Sequence, residues 1–186
     1  ELSEIETEYV SEKFNIWSLS FLCSYIIVNH HEYLRRVFPV ISAHIEKVVN
    51  AHGDNFPYLS EVKKNFERLK TDLASHMEKE ESVLFPYIAA METESRTNFY
   101  PPFGNVETPI SVLIREHSEA GEEIEMIKQL TNNFTPPANA CTTFRVTFQE
   151  LEEFYKDLKI HIHLENNILF PRTVEMEFQK RNQIII

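Results

Sequence analysis

The sequence contains one eleven-residue pattern twice, and this repeat constrains the fold more than any other feature. Both copies, residues 76–86 and 161–171, have the form H-x-x-x-E-x-x-x-L-F-P. On an α-helix, residues four apart lie on one face, with Cβ atoms about 5–6 Å apart. Each copy therefore directs an imidazole and a carboxylate to the same point. A chain that does this twice can hold two cations and bridge them with two carboxylates.

The chain is predicted to fold into long helices. It has 186 residues and only three glycines, and its turn-forming residues gather at few places. Apolar residues recur with helical spacing in four predicted helices, over about 18–51, 58–92, 109–131 and 140–170. Pro39 is expected to kink the first helix without ending it. The sequence predicts an all-α, antiparallel four-helix bundle, preceded by a short helix within residues 2–13.

Local signals mark the ends of these helices. Ser18 is a suitable N-cap for the first helix, and Thr108 followed by Pro109 is predicted to begin the third. Residues 51–57 and 132–139 contain the Gly, Asn and Pro residues typical of turns. Residues 93–108 form a long predicted loop. These boundaries divide the chain into two helical hairpins, one in each half.

One further histidine precedes each repeat at a matching distance. His31 and His117 are 86 residues apart, and His76 and His161 are 85 apart. In an antiparallel hairpin, residues equidistant from the turn lie at the same height, and the midpoint of His31 and His76 falls inside the first predicted turn. The midpoint of the second pair falls at the end of the second turn, a looser fit by a few residues. All four imidazoles are expected to face one bundle interior.

The candidate metal ligands are His31, His76, His117, His161, Glu80 and Glu165. An uncompensated buried carboxylate is costly, so two of them need either hydrogen-bonded ion pairs with the imidazoles or cations. Two divalent metals fit better, each taking two imidazoles while both glutamates bridge. Open positions would remain for an oxo or hydroxo bridge, water or a diatomic gas. This mixed ligation suits iron or manganese, with zinc as a further candidate. The competing interpretation is a duplication kept for packing alone, which explains Leu-Phe-Pro but not the polar residues.

Composition argues against several classes of function. The net charge of −11 is unsuited to a nucleic-acid surface, which needs a basic stripe. The apolar run 14–28 has about 15 residues, fewer than the about 20 of a membrane span. Cys23 and Cys141 are far apart, form no CxxC motif and are predicted to be reduced and partly buried. We therefore expect a cytoplasmic protein without a membrane or nucleic-acid partner.

Several polar residues beside the candidate ligands could hydrogen-bond the outer imidazole nitrogens and fix their orientation. These candidates are Asn29, Glu81, Glu116 and Asn166. His30 and His163 neighbour candidate ligands but point elsewhere around the helix. They are expected either on the surface or behind a ligand.

At these residues the chain resembles the hemerythrin-like (HHE cation-binding) proteins, and in particular their iron–sulfur cluster repair branch. The resemblance covers roughly residues 15–175 and is carried by residues 29–35, 76–81, 115–117 and 161–172. It implies a non-haem di-iron site, oxo- or hydroxo-bridged, with the four histidines as ligands and both glutamates as bridges. It also implies binding of NO or O2 and repair of damaged iron–sulfur proteins after nitrosative or oxidative stress.

Two functional alternatives follow from the resemblance. The first is a stress protein that reduces nitric oxide or donates iron to damaged clusters. The second is an iron-binding or gas/redox sensor module without turnover. Oxygen-carrying hemerythrins have H-x-x-x-x-D on the last helix, whereas H-x-x-x-E here disfavours reversible oxygen carriage. Residues 1–186 are expected to form one domain, monomeric or homodimeric, without the cysteine-containing N-terminal segment typical of the family.

Overall fold

The computed structural model describes residues 14–93 and 104–182, whose regular elements are all helical. Four long helices, three of them interrupted by a π-helical turn, form the bundle. They are α1 (Leu19–Ile26, π turn Ile27–His31, Glu32–His52), α2 (Tyr58–Lys79, π turn Glu80–Leu84, Phe85–Thr93), α3 (Glu107–Leu130) and α4 (Thr142–Leu164, π turn Glu165–Leu169, Phe170–Asn182). The all-α bundle is confirmed. The helix predicted within residues 2–13 and most of the loop 93–108 lie outside the described residues.

Two of the predicted helix starts can be checked against the capping contacts. Ser18 caps α1 as predicted, because its side chain accepts a hydrogen bond from the Phe21 amide at 3.2 Å. The prediction that Thr108 caps α3 was wrong, since that helix begins at Glu107. Asn105 caps it instead by accepting from the Thr108 amide at 3.0 Å. Val106 is buried and donates its amide to Glu177, which fixes the start before Pro109.

The two Leu-Phe-Pro sequences lie inside continuous helices. α4 was predicted to end near residue 170, but it continues through Pro171 to Asn182. The amides of Phe85 and Phe170 donate to carbonyls five residues back, at Glu80 and Glu165. A proline ring would clash with the carbonyl four residues before it, and the wider turn relieves that clash. Leu-Phe-Pro therefore marks a local distortion, as predicted, rather than a helix end. α1 likewise continues through Pro39.

The core consists of two apolar clusters separated by a polar layer. One cluster contains Phe38, Phe66 and Phe154 and draws on residues 34–77 and 120–158. The other contains Leu22 and Ile88 and draws on residues 14–26, 84–91, 106–113 and 164–170. The candidate ligands come from the positions where these segments meet, so apolar side chains lie on both sides of them. This arrangement shields the polar layer from water.

Helix lengths and cysteine positions bear on the remaining expectations from composition. Within the described ranges, no helix is both long enough and apolar enough to cross a lipid bilayer. Cys23 is buried among the residues of the second apolar cluster. Cys141 was predicted to be partly buried, but it is exposed because it occupies the N-cap position of α4 at the surface.

Candidate metal centre

The six candidate ligand side chains lie together in the middle of the bundle. Each helix contributes one histidine, and α2 and α4 each add a glutamate: His31, His76, Glu80, His117, His161 and Glu165. None of the six residues is more than 3% exposed. The structure thus brings together all six residues that the sequence selected.

The π turns lie at the level of this cluster. Glu80 and Glu165 are the first residues of their π turns, and His31 is the last residue of the π turn in α1. A π turn contains an extra residue, so it shifts the face that the following residues present. The ligands can therefore point inward while the apolar residues before and after them stay in their own clusters. The periodicity of the sequence did not reveal these turns.

The ligand atoms form two groups that share both glutamates. The groups are His31, Glu80, His161 and Glu165, and His76, Glu80, His117 and Glu165, each with its ligand atoms within 4.8 Å of one another. The Nε2 atoms of His31 and His161 are 3.3 Å apart, and those of His76 and His117 are 2.9 Å apart. Each pair joins imidazoles from different hairpins, α1 with α4 and α2 with α3.

Both carboxylates lie between the two imidazole pairs. Glu165 places Oε1 2.9 Å from His161 Nε2 and Oε2 3.0 Å from His117 Nε2. Glu80 Oε2 is 3.4 Å from the Nε2 atoms of both His31 and His76. Among residues 14–93 and 104–182, neither oxygen of Glu80 finds a hydrogen-bond partner, and nor does Oε2 of Glu165, because these contacts lack hydrogen-bond alignment. Buried carboxylate oxygens without hydrogen-bond partners are suited to binding a cation.

Three of the imidazoles are held from outside through Nδ1. The Nδ1 contacts are 2.7 Å from His31 to Glu81, 3.0 Å from His76 to Glu116, and 2.7 Å from His117 to Asn166. These are three of the four outer partners that the sequence suggested. Asn29 instead donates to the Tyr25 carbonyl on the surface. An imidazole that donates Nδ1–H presents the lone pair of Nε2 to the centre, which is the tautomer a metal requires.

The resulting donor geometry fits two metal ions. Neutral imidazoles whose Nε2 lone pairs face each other at 2.9 Å or 3.3 Å repel, unless a proton or cation lies between them. Two nitrogens held about 2.1 Å from one divalent ion, at a right angle, are about 3.0 Å apart. The observed separations lie on either side of that value. Nitrogen and oxygen donors without a thiolate suit iron, manganese or zinc rather than an iron–sulfur cluster.

Without metal, protons provide the positive charge at this centre. Burial lowers the pKa of His76, but Glu80 and Glu165 outweigh it and raise that pKa to about 9. The same balance raises the pKa of His31. Burial would raise the pKa values of both glutamates, but the imidazoles hold them below the usual value. For His161, burial prevails and the pKa is lowered. A metal must therefore displace protons from the cluster.

The phenylalanines of the two repeats stack on the histidines of the first and third helices. Phe85 lies over His31 and Phe170 over His117, each with ring centroids 5.8 Å apart and planes within 14°. The sequence predicted both phenylalanines as core residues, and both are buried. Their contact with the imidazoles was not predicted. The signal was present in the repeat, as a phenylalanine five residues after each glutamate.

His30 was expected either on the surface or behind a ligand, and it lies behind the candidate ligand His161. Its ring is nearly parallel to that of His161, at 11°, with centroids 5.5 Å apart. It is 5% exposed, and its Nδ1 lies 2.9 Å from Asp157 Oδ1. Asp157 was not selected from the sequence, although it precedes His161 by one helical turn. His163 contacts the Asn167 side chain nearer the surface.

Removing the carboxylate behind His76 is expected to weaken metal binding. The Glu116→Ala variant should bind metal about tenfold to 100-fold more weakly, because Glu116 orients the His76 ring and makes it more basic. Competition with a chromophoric chelator measures the affinity. Glu122→Ala is the matched control, since Glu122 is exposed on the same helix and contacts none of the candidate ligands. Equal affinities for the two variants would contradict the role of Glu116.

The chain is similar to a group of metal-binding helical proteins. A family model described as the hemerythrin HHE cation binding domain matches residues 24–173. A "Probable iron-sulfur cluster repair protein" of Haemophilus influenzae is 36% identical over 94% of this chain and 74% of its own length. The "Iron-sulfur cluster repair protein YtfE" of Musicola paradisiaca is 37% identical, over 95% and 75%. The protein of that name in Escherichia coli O81 is 36% identical, over 95% and 76%.

Proposed function

The chain belongs to the hemerythrin HHE cation-binding domain family. We propose that its six buried candidate ligands bind two iron ions and that the protein repairs damaged iron–sulfur clusters. One observation carries the proposal: two pairs of inward-facing Nε2 atoms share two buried carboxylates. The names of the relatives support the repair function. The expected setting is the cytoplasm under nitrosative or oxidative stress.

The residues around the six candidate ligands keep those side chains in position for binding redox-active iron. Iron bound here would supply one-electron chemistry and open positions for NO or O2. Glu81, Glu116 and Asn166 orient three imidazoles, so the donors are in place before the metal arrives. Phe85 and Phe170 cover two of the rings. The apolar clusters on either side exclude water and thereby strengthen electrostatic interactions at the centre.

An acidic cavity beside His76 supports the donation of iron to damaged clusters. It has a volume of about 160 Å³ and is lined by the ligand His76 together with four carboxylate side chains. The four are Asp72, Glu116, Glu119 and Glu123. Lys79 also lines the cavity, so carboxylates outnumber lysine side chains by four to one, and a cleft with such an excess of negative charge concentrates cations. Cations can therefore approach or leave the centre on this side.

Metal analysis combined with a repair assay tests the proposal. Freshly purified protein should contain about two iron ions per chain, one for each group of donors. Its absorption spectrum should change when nitric oxide is added without oxygen. The iron-loaded protein should also restore a [4Fe–4S] protein damaged by nitric oxide, and the chelated protein should not. Zinc alone in the purified protein would overturn the iron assignment.

The same assay separates repair from sensing. A nitric-oxide response without restoration of the damaged cluster would overturn the repair function and leave a sensor or iron store. The Glu122→Ala variant is a control for surface charge, because Glu122 is exposed and its loss keeps all six candidate ligands and all four carboxylates of the cavity. It should match the wild type in iron content and in restoration.

A further inference from the structure

Aromatic rings form a continuous chain from the bundle surface to His161. Trp17 is partly exposed, and its ring centroid lies 5.2 Å from that of Tyr25. Tyr25 is 5.9 Å from His30, and His30 is 5.5 Å from His161. All three separations are within the range of direct contact between aromatic rings. The surface is therefore connected to one side of the candidate metal centre by three short steps.

Packing and hydrogen bonds hold the outer rings in place. The Arg172 guanidinium donates to the carbonyl oxygens of Phe14 at 3.2 Å and Trp17 at 2.6 Å. The Phe14 ring contacts both Trp17 and Tyr25, with centroids 4.6 and 5.1 Å away. Three aromatic residues near the start of α1 and Arg172 of α4 thus build one fixed unit at the surface.

The inner step is fixed by burial and by a hydrogen bond between His30 and Asp157. His30 is 5% exposed and lies 2.9 Å from Asp157, one turn before His161 on the same helix. Its ring is nearly parallel to that of His161. By contrast, the ring contacts of His31 and His117 lead to Phe85 and Phe170, which are both buried.

We propose that Trp17, Tyr25 and His30 form a route for single electrons between a donor at the surface and the metal pair. The proposal rests on the proposed function, because a redox-active iron pair must occupy the centre. The donor is a one-electron carrier that loses one electron, and the iron pair gains it. Each ring returns to its starting state, and the proton that the Tyr25 phenol releases to water on oxidation is taken back on reduction, so there is no net change in bonds or protons. Electron transfer slows steeply with distance, so short steps between rings outpace one long step through the apolar cluster.

The position of Trp17 suits a donor that cannot enter the bundle. The Trp17 ring contacts that of Phe21, with centroids 4.7 Å apart, and Phe21 is 53% exposed. A large carrier can therefore reach the outer end of the route without reaching the metal ligands. Trp17 is also the single tryptophan of the chain, so a tryptophan radical can be assigned to it.

Flash photolysis tests the route through the lifetime of the Trp17 radical. A photo-oxidised ruthenium polypyridyl complex, too bulky to enter the bundle, takes one electron from Trp17. In protein loaded with reduced iron, the radical should decay about tenfold faster than in zinc-loaded protein, roughly 1.4 kcal/mol in activation free energy. The iron pair returns the electron through the route, whereas zinc has none to give and the unpaired electron stays on Trp17 or Tyr25, so the decay that is compared is that of the two radicals together. Transient absorption follows the decay.

Variants at Tyr25 decide whether the electron follows this route. In iron-loaded Tyr25→Leu protein, the Trp17 radical should live as long as it does with zinc. Tyr25→Phe keeps the packing and removes the easily oxidised phenol, and it should give an intermediate or long lifetime. Tyr155→Leu is the control, because Tyr155 packs against the other apolar cluster, and it should behave as the wild type. Helical content and iron content are measured for every variant.

Each remaining outcome separates the route from the function on which it rests. A Trp17 radical with equal lifetimes in fully iron-loaded and zinc-loaded wild type would overturn the route and leave the proposed function standing. Fast decay of the radical in both iron-loaded Tyr25 variants would likewise overturn the route and leave the proposed function standing. A protein that takes up no iron would overturn the proposed function, and the route with it.

Discussion

Glu165→Ala protein is expected to bind less than half of the metal bound by the wild type and to unfold at lower denaturant concentration. In the part of the chain that the structure describes, Glu165 is the one side chain within 3.0 Å of a nitrogen in each imidazole pair. Its loss removes a donor from both positions and leaves Glu80 as the sole shared carboxylate. Because metal binding contributes to the free energy of folding, the bundle should weaken together with the metal content.

His76→Ala gives the matching test at a single position. His76 belongs to one imidazole pair, so its loss should remove about half of the metal and spare the pair of His31 and His161. Elemental analysis and urea unfolding measure both effects. Glu175→Ala is the control, since Glu175 is exposed on the same helix as Glu165. Unchanged metal stoichiometry in both ligand variants would refute the ligand assignment.

Chelated protein is expected to lose stability as the pH rises from 6.5 to about 10, whereas metal-loaded protein is not. The folded-state pKa of His76 is about 9, above its ordinary value of 6.5. Its contribution is therefore fully present below pH 6.5 and is lost as the pH rises through 9. The loss should be on the order of 3 kcal/mol. The lowered pKa values of Glu80 and Glu165 act only in acid, outside this window.

Metal removes this dependence because an imidazole that binds a cation has already lost the proton at that nitrogen. The free energy of unfolding is measured by urea titration at several pH values, with and without chelator. His76→Asn should remove most of the pH dependence of the chelated protein, with the raised pKa of His31 accounting for the remainder. A chelated wild type equally stable at pH 6.5 and about 10 would contradict this charge balance.

The candidate ligands could be predicted from the sequence because their spacing carries the geometry. An imidazole and a carboxylate four residues apart on a helix must face the same way, and the repeat contains such a pair in each of its two copies. The matching offsets of His31 and His117 then required only that the helices run antiparallel. Three of the outer partners followed because each is adjacent in sequence to a ligand.

Other features depend on packing that no local pattern records. The partner of each imidazole is set by which helices lie side by side, so the joining of His31 to His161 could not be predicted from spacing. The start of α3 depends on the burial of Val106 against Glu177, a residue 71 positions away. The π turns in α2 and α4 are indicated in the sequence by one feature alone, which is the proline six residues after each glutamate.

The pairing of imidazoles from opposite hairpins has a mechanical consequence. Each bound ion would act as a noncovalent cross-link between the two halves of the chain, which are joined covalently by the segment between α2 and α3. A chain nicked by a protease in that segment would remain assembled while metal is bound. Chelation would then remove this cross-link and weaken the association of the halves, which would depend on the two shared apolar clusters alone.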